Sequence, residues 1–486
     1  MSQLVGVIPA AGHGTRAYPH TRVIPKAMLD ICGQPVLHYT LEIMRDRLGI
    51  RDMVVILGRH GEAIRRHFGT GEKYGVAIRY VQNDRVELGL SYSVLLAREH
   101  VPGSHFVVML SDELYWNSNH ASFPDCGYQK FAATLAVRAN SANREICKNF
   151  SVDLKGDAVQ RIIEKPKFSQ NGLLGCGTYV FRRDFFDVLE RRFASSDPGA
   201  GDLTSAIGQM ISAGQPVQRF ALKGDYININ YEEDVHYARS LVRRSRLARA
   251  RISMVLPCEG PAPIVEDMLR LARGHERVNE VLLVVCEQNA GISELAGRYG
   301  AKVVLASGAN HLAYGRLFRA GIAETSGEIV VLTKDDDSFD LADLDKLLAY
   351  MCEADLVLGT RTTSQLVQQG SNLKWVPRVA NFVLAKLIEL LWLRRRVRLT
   401  DVGCTFRAFW RETYDQLEPD LRSDGPEFSP EMIVEVLRRH LWVIEVPINY
   451  CRTGEEAKVR KQHRNVAVFF SMAAMIISRR FRAPAA

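Results

Sequence analysis

Apolar runs recur along this chain at intervals that separate buried strands from amphipathic helices. Leu4–Pro9 is a short apolar run ending in small residues, which reads as a buried strand feeding a loop. Met53–Leu57 (MVVIL), Ile78–Val81 and Phe106–Leu110 (FVVML) repeat that reading, and helical patterns such as Val36–Leu48 lie between them. Strands alternating with helices predict a mostly parallel sheet covered on both faces. The pattern restarts after the basic stretch Arg239–Arg251. Ile252–Pro257 (ISMVLP), Val281–Val285 (VLLVV), Val303–Leu305 and Ile329–Leu332 (IVVL) are strand candidates there, with Ile264–Arg273 a helix. The fold expected is α/β, with two three-layer α/β/α domains in tandem, 1–245 and 250–486. Between them Val235–Ala250 has few breakers and many helix formers, so a helical connector is expected.

A chain of 486 residues has room for two or three domains with adequate cores. Its net charge of +8 points to anionic partners: nucleotides, phospholipid surfaces or nucleic acid. The charge is local, in Arg239–Arg251, Arg394–Arg398 and Lys458–Arg464, and such runs also occur as plain solvated faces. No aromatic-studded basic sheet or recognition helix accompanies them, so nucleic acid is not the expected partner. Nine scattered cysteines form no C-x-x-C pair, which suggests reduced thiols in the cytoplasm. Leu4–Ala11 has no basic region before it and is not expected to be a signal peptide. No run reaches the ~20 apolar residues of a spanning helix. Two shorter apolar segments, Val379–Leu393 running into Arg394–Arg396 and Val466–Ile477 between basic residues, suit helices on an anionic membrane surface. The alternative is that they are buried helices or a dimer interface. The expected location is cytoplasmic, peripheral at the inner face of the membrane.

Candidate chemistry begins at Ile8–Leu29, IPAAGHGTRAYPHTRVIPKAML. Gly12 and Gly14, following a strand, let backbone approach phosphates closely, and Arg16 and Lys26 supply positive charge. The series Gly12, Gly14, Thr15, Arg16, Pro19, Pro25, Lys26 and Leu29 resembles the signature of the sugar-1-phosphate nucleotidyltransferases, such as glucose-1-phosphate thymidylyl- and uridylyltransferases, and the resemblance continues to about residue 240. It implies nucleotide binding by Gly12, Gly14, Thr15, Gln82 and Gly89. It also implies a metal aspartate at Asp112 and a sugar site at Glu164, Lys165 and Gly177. The phosphate of a sugar 1-phosphate would attack the α-phosphorus while pyrophosphate leaves. Neutralising that charge calls for Arg16, Lys26 and a Mg²⁺ held by Asp112. A strand-end carboxylate that caps a helix is the plainer reading of Asp112. Two departures stand out. The family's W-x-D-x-G becomes YININ, so Asn228 takes the place of the second metal aspartate, with Asp225 a nearby substitute. A Y-G pair becomes Asn149–Phe150, which alters the sugar pocket and leaves a cytidylyltransferase acting on a non-sugar phosphate as an alternative.

In the second half, Asp335, Asp336 and Asp337 follow an apolar strand, where carboxylates can bridge Mg²⁺ or Mn²⁺ to a diphosphate or simply form a turn. LVLGTR (356–361), DVGCTFR (401–407) and Glu445–Val446–Pro447 come next. This order resembles the family 2 glycosyltransferases over roughly 252–460, especially polyprenyl-phosphate sugar transferases of the dolichyl-phosphate mannose synthase type. The resemblance implies a Rossmann-like nucleotide-diphospho-sugar-transferase fold and a D-x-D metal motif. Asp335 with Asp337 is one register of that motif, and Lys334 leaves the register open. Glu259 and Glu287 would serve the nucleoside, the latter where V-D-D-G-S is usual. Arg361, Arg407, Arg452 and Lys458 would meet phosphate or acceptor. Together the two resemblances imply a bifunctional enzyme. One domain would make a nucleotide sugar from UTP or dTTP and a sugar 1-phosphate. The other would transfer the sugar to a polyprenyl-phosphate lipid, or another glycan acceptor, in cell-envelope biosynthesis. In the alternative, one domain is catalytic and the other degenerate or regulatory.

Overall fold

The computed structural model describes residues 4–12, 24–139, 141–195, 197, 199–258, 262–306, 308, 313–334, 339–367, 375–393, 397–450 and 465–481. Packing divides the chain into two units, Met1–Ala238 and Arg239–Ala486.

The first unit contains β1 (Val5–Ala10), β2 (Asp30–Ile31), β3 (Gln34–Pro35), β4 (Asp52–Leu57), β5 (Ala77–Gln82), β6 (His105–Met109), β7 (Glu113–Trp116), β8 (Ala133–Arg138), β9 (Phe150–Lys155), β10 (Ala158–Glu164), β11 (Leu174–Arg182), β12 (Val217–Leu222) and β13 (Asp225–Asn228). Its main sheet has the order β5-β4-β1-β6-β11-β8-β12-β10-β9. β5, β4, β1 and β6 run parallel, whereas β11 is antiparallel to both β6 and β8. Side chains alternate between two cores. Val5, Val7, Val54, Ile56, Phe106 and Val108 enter one, and Ile8, Met53, Val55, Val107 and Met109 the other. Both faces are covered, which is why these strands read as unbroken apolar runs. The predicted helix Val36–Leu48 is α-helical over Val36–Glu42 and then widens into a π-helical turn, Ile43–Arg47.

The second unit contains β14 (Ile252–Pro257), β15 (Val278–Val285), β16 (Lys302–Leu305), β17 (Ile329–Leu332), β18 (Leu356–Thr360), β19 (Arg407–Trp410) and β20 (Val443–Pro447), in the order β16-β15-β14-β17-β19-β18-β20. Here too alternate residues serve two cores, Met254 and Leu283 in one, Val255 and Leu282 in the other. β19 is antiparallel to β17 and β18, and β20 is parallel to β18. Strand for strand, this is the order and sense of β5-β4-β1-β6-β11-β8-β12 in the first unit.

The helix Glu232–Leu247 contains the division between the units. From Arg239 onward it is tied into the second unit: Arg243 Nη2 pairs with Asp355 Oδ1 at 2.7 Å, Ser240 donates to Glu353 at 3.1 Å and Arg246 pairs with Glu412 at 2.8 Å. The apolar segments near the end of the chain form the helices Trp375–Leu391 and Asn465–Phe481. Each is half-buried. Leu384, Ala385, Ile388, Met472 and Ile476 enter the core, while Val379, Phe382, Val383, Leu390, Phe470, Ile477 and Phe481 are exposed. Among the described residues, no helix is long and apolar enough to cross a membrane.

Candidate active site

The parallel strands of the first unit end at one edge of the sheet, and ligands of such folds bind in the crevice beyond those carboxyl ends. A cavity of about 870 Å³ opens there. Lys26, in the turn after Pro25, and Asp112, three residues past β6, meet across it, with Nζ 3.1 Å from Oδ2. Lys26 also donates to Asn230 Oδ1 at 3.1 Å. From Asn230 a line of amides continues. Asn230 Nδ2 donates to Asn228 Oδ1 at 2.7 Å, Asn228 Nδ2 to Asn149 Oδ1 at 2.5 Å, and Asn149 Nδ2 to the Glu145 carbonyl at 2.9 Å. All three asparagines line the cavity.

Beside Asp112, Glu113 begins β7 and is 2% exposed. Its carboxyl accepts from Tyr115 Oη at 2.5 Å, Tyr226 Oη at 2.7 Å and the Gly177 amide at 2.8 Å. Burial, with the neighbouring Asp112 charge adding to it, pushes this carboxyl up to about 7, against the pull of those hydrogen bonds.

The remaining expectations for this unit divide. Glu164, Lys165 and Gly89 line the cavity together with Lys26 and Asp112. Lys165 pairs with Glu164 at 3.1 Å and donates its backbone amide to the Asn149 carbonyl at 2.7 Å. Gly89 has φ +86°, and a Cβ there would lie 2.7 Å from the Gly201 carbonyl oxygen, so the loop needs glycine for both conformation and space. Three further residues expected at the site are hydrogen-bonded within the unit. Gly177 is buried and does not line the cavity; a Cβ there would come within 2.5 Å of Glu113 and Leu110, and its amide donates to the Glu113 carboxyl. Asn228 lines the cavity, with its Oδ1 accepting from Asn230 and its Nδ2 donating to Asn149. Gln82 donates to the Gly58 carbonyl at 3.4 Å and is not among the cavity-lining residues. Asp225 also lies off the cavity, at the Trp116 end of β13. Gly12 follows β1, with nothing within 4 Å of where a Cβ would lie. Gly14, Thr15 and Arg16 lie outside the described residues. Sequence reasoning overlooked Glu113 and Asn230. The two asparagines at 228 and 230 are spaced for one face of an extended segment, a signal that was available.

In the second unit Arg361, just past β18, makes a bidentate pair with Asp401, Nε–Oδ2 2.6 Å and Nη2–Oδ1 2.7 Å. Glu445 accepts from the Thr400 and Asp401 amides and the Thr400 hydroxyl, and burial raises it to about 7. Arg407 differs from its expected role. It is 1% exposed and donates to the carbonyls of Ser429, at 2.9 Å, and Cys404. Burial lowers its pKa to about 10, and it braces the core instead of facing a phosphate. Glu287 is exposed just beyond β15. Glu259, Asp335, Asp336, Asp337, Arg452 and Lys458 lie outside the described residues. No group of three His, Cys, Asp or Glu among the described residues could hold a metal ion.

Residues 5–248 match the family model of the nucleotidyl transferases, and the chain belongs to that family. It is 29% identical over 247 residues to the low-salt glycan biosynthesis nucleotidyltransferase Agl11 of Haloferax volcanii, a match covering 51% of this chain and 68% of that protein. The UTP–glucose-1-phosphate uridylyltransferase AglF of the same organism is 28% identical, covering 47% of this chain and 92% of its own. A solved UDP-glucose pyrophosphorylase from Acinetobacter baumanii is 21% identical, covering 49% of this chain and 93% of its own, with a TM-score of 0.41.

Proposed function

We propose that the first unit joins a nucleoside triphosphate, UTP or dTTP, to a sugar 1-phosphate, releasing pyrophosphate. The carrying observation is the Lys26–Asp112 pair in a large crevice-edge cavity of a nucleotidyl transferase family member. A phosphate oxygen of the sugar phosphate attacks the α-phosphorus, the bond to the β-phosphate breaks, and pyrophosphate departs. Lys26 meets the charge on the triphosphate side, and Lys148 and Lys165 line the same cavity for the incoming phosphate. Asp112 faces the cavity and fits a Mg²⁺ or Mn²⁺ site of one carboxylate plus substrate phosphates, where the ion would neutralise charge on the departing group. The names of the relatives, glucose-1-phosphate uridylyltransferase among them, support this choice of substrate. The test is pyrophosphate release from a panel of nucleoside triphosphates and sugar 1-phosphates. Lys26→Ala and Asp112→Ala should each lose about 10²–10³ in rate. Near-normal turnover by both would remove the assignment.

For the second unit we infer transfer of that sugar to a polyprenyl-phosphate acceptor at the inner membrane face. Three features support it. The seven-strand order repeats that of the first unit. By sequence Asp335 follows the end of β17 by three positions, as Asp112 follows β6. Two half-buried helices expose apolar side chains suited to lipid. One observation favours a non-catalytic second unit instead: Arg361 and Arg407 are both held within the fold. A coupled assay with radiolabelled sugar 1-phosphate separates the readings. The Asp335→Ala/Asp337→Ala double variant should accumulate nucleotide sugar and label no lipid. If the wild type labels no lipid either, the non-catalytic reading stands.

A further inference from the structure

The amide line in the first unit runs in one direction. An ammonium can only donate, so Lys26 forces Asn230 to present its carbonyl oxygen. The Asn230 NH₂ must then turn to Asn228, which accepts on oxygen and donates its own NH₂ to Asn149. Asn149 repeats the pattern and delivers its NH₂ to the backbone carbonyl of Glu145. Every member accepts on one side and donates on the other, the arrangement in which successive hydrogen bonds polarise one another. An aspartate at 228 would break the line, because an ionised carboxylate accepts from Asn230 but has nothing to donate to Asn149. That gives a chemical reason for asparagine at a place where a metal-binding carboxylate would otherwise be expected.

We propose that Asn149, Asn228 and Asn230 are positioning residues that hold the Lys26 ammonium against Asp112 in the cavity. Lys165 meets the line only through the backbone, its amide donating to the Asn149 carbonyl, and its side chain lines the same cavity. The catalytic consequence rests on the nucleotidyl transfer proposed above. The geometry of Lys26 does not, and the experiment keeps them apart.

The full chain and its Asn230→Ala, Asn228→Ala, Asn149→Ala and Asn228→Asp variants are treated with sulfo-NHS-acetate at one fixed pH. Acetylation of Lys26 is measured by peptide mass spectrometry against the exposed Lys130 of the same molecule. Losing one hydrogen bond should speed Lys26 labelling about threefold or more in Asn230→Ala and Asn228→Ala, and less in Asn149→Ala. Thermal unfolding checks that the variants are folded. In parallel, pyrophosphate release from UTP and glucose 1-phosphate should show kcat down about tenfold in the alanine variants, with the nucleotide KM within about twofold. Asn228→Asp decides between roles. It should lower kcat like the alanine variant if 228 must donate, and preserve or raise it if 228 is a metal ligand, which would overturn the proposal. Unchanged Lys26 labelling in folded Asn230→Ala and Asn228→Ala would also overturn it. If the wild type releases no pyrophosphate, the proposed function fails and the labelling alone decides the amide line.

Discussion

A carboxyl as buried as Glu113 writes its pH dependence into the stability of the fold. Burial, helped by the Asp112 charge, raises it from 4.5 to about 7. A raised carboxyl binds its proton more tightly in the folded chain, so its stabilising contribution is full below 4.5 and lost as pH rises through about 7. Glu113→Gln cannot ionise. Urea titrations should therefore show the wild type's advantage over Glu113→Gln shrinking between pH 4.5 and 7 and constant above; a flat difference would mean that Glu113 is not perturbed. Behind this carboxyl, Gly177→Ala would press a methyl to 2.5 Å from Glu113 Oε2 and Leu110, costing about 1–3 kcal/mol by the same titration. Neither residue's part was legible in the sequence. Lys26 and Asp112 stand in local motifs, the first in a turn after Pro25 and the second just past a strand end. Glu113 draws its character from Tyr226 and Gly177, more than sixty positions away, and distant partners leave no local pattern.

At the scale of elements, the helices Trp375–Leu391 and Asn465–Phe481 are the instructive pair. Their apolar character and approximate limits are plain in the sequence, but they carry apolar residues nearly all round, so the pattern alone does not say which face is covered. The anchor is ionic and comes from elsewhere in the chain. Arg479 is buried against Glu431, Asp420 and Glu435. Removing one partner from a buried ion network costs about 3–5 kcal/mol. Arg479→Ala should therefore lower the unfolding midpoint sharply, and truncating the chain after Arg464 would test stability before it tested any membrane. The informative change is on the other face. Phe470, 65% exposed, and Phe481, 82% exposed, project outward with Ile477. Replacing all three with serine should leave the melting temperature within a degree or two, since surface changes away from structural features stay within about 0.5 kcal/mol. It should also release the chain from vesicles containing anionic lipid. Undiminished vesicle binding would assign the face to something other than lipid.

Over the whole molecule, the repeated strand order is the feature that sequence reading reached least completely. Apolar runs announced strands and their alternation with helices. They did not announce that β11 and β19 run antiparallel at the same place in each sheet, because a strand buried on both faces looks alike in either direction. The packing division between the units falls inside the helix Glu232–Leu247, at Ala238–Arg239. The side chains beyond it are tied to the second unit. Asp355 is 1% exposed and accepts from Arg243 and from the Trp442 amide. Burial alone would raise its carboxyl, but the charges of Arg243 and Arg239 more than reverse that and leave it below the usual range. A fragment beginning at residue 250 keeps Asp355 and loses both arginines, whereas one beginning at Arg239 keeps all three. Leaving the buried carboxylate uncompensated should cost the shorter fragment about 3–5 kcal/mol, seen as a lower urea midpoint at unchanged slope. Asp355→Asn, by removing the charge, should recover part of the loss in the shorter fragment and destabilise the longer one. Two fragments of equal stability would mean that residues 239–249 are only a connector, and that the second unit begins at β14.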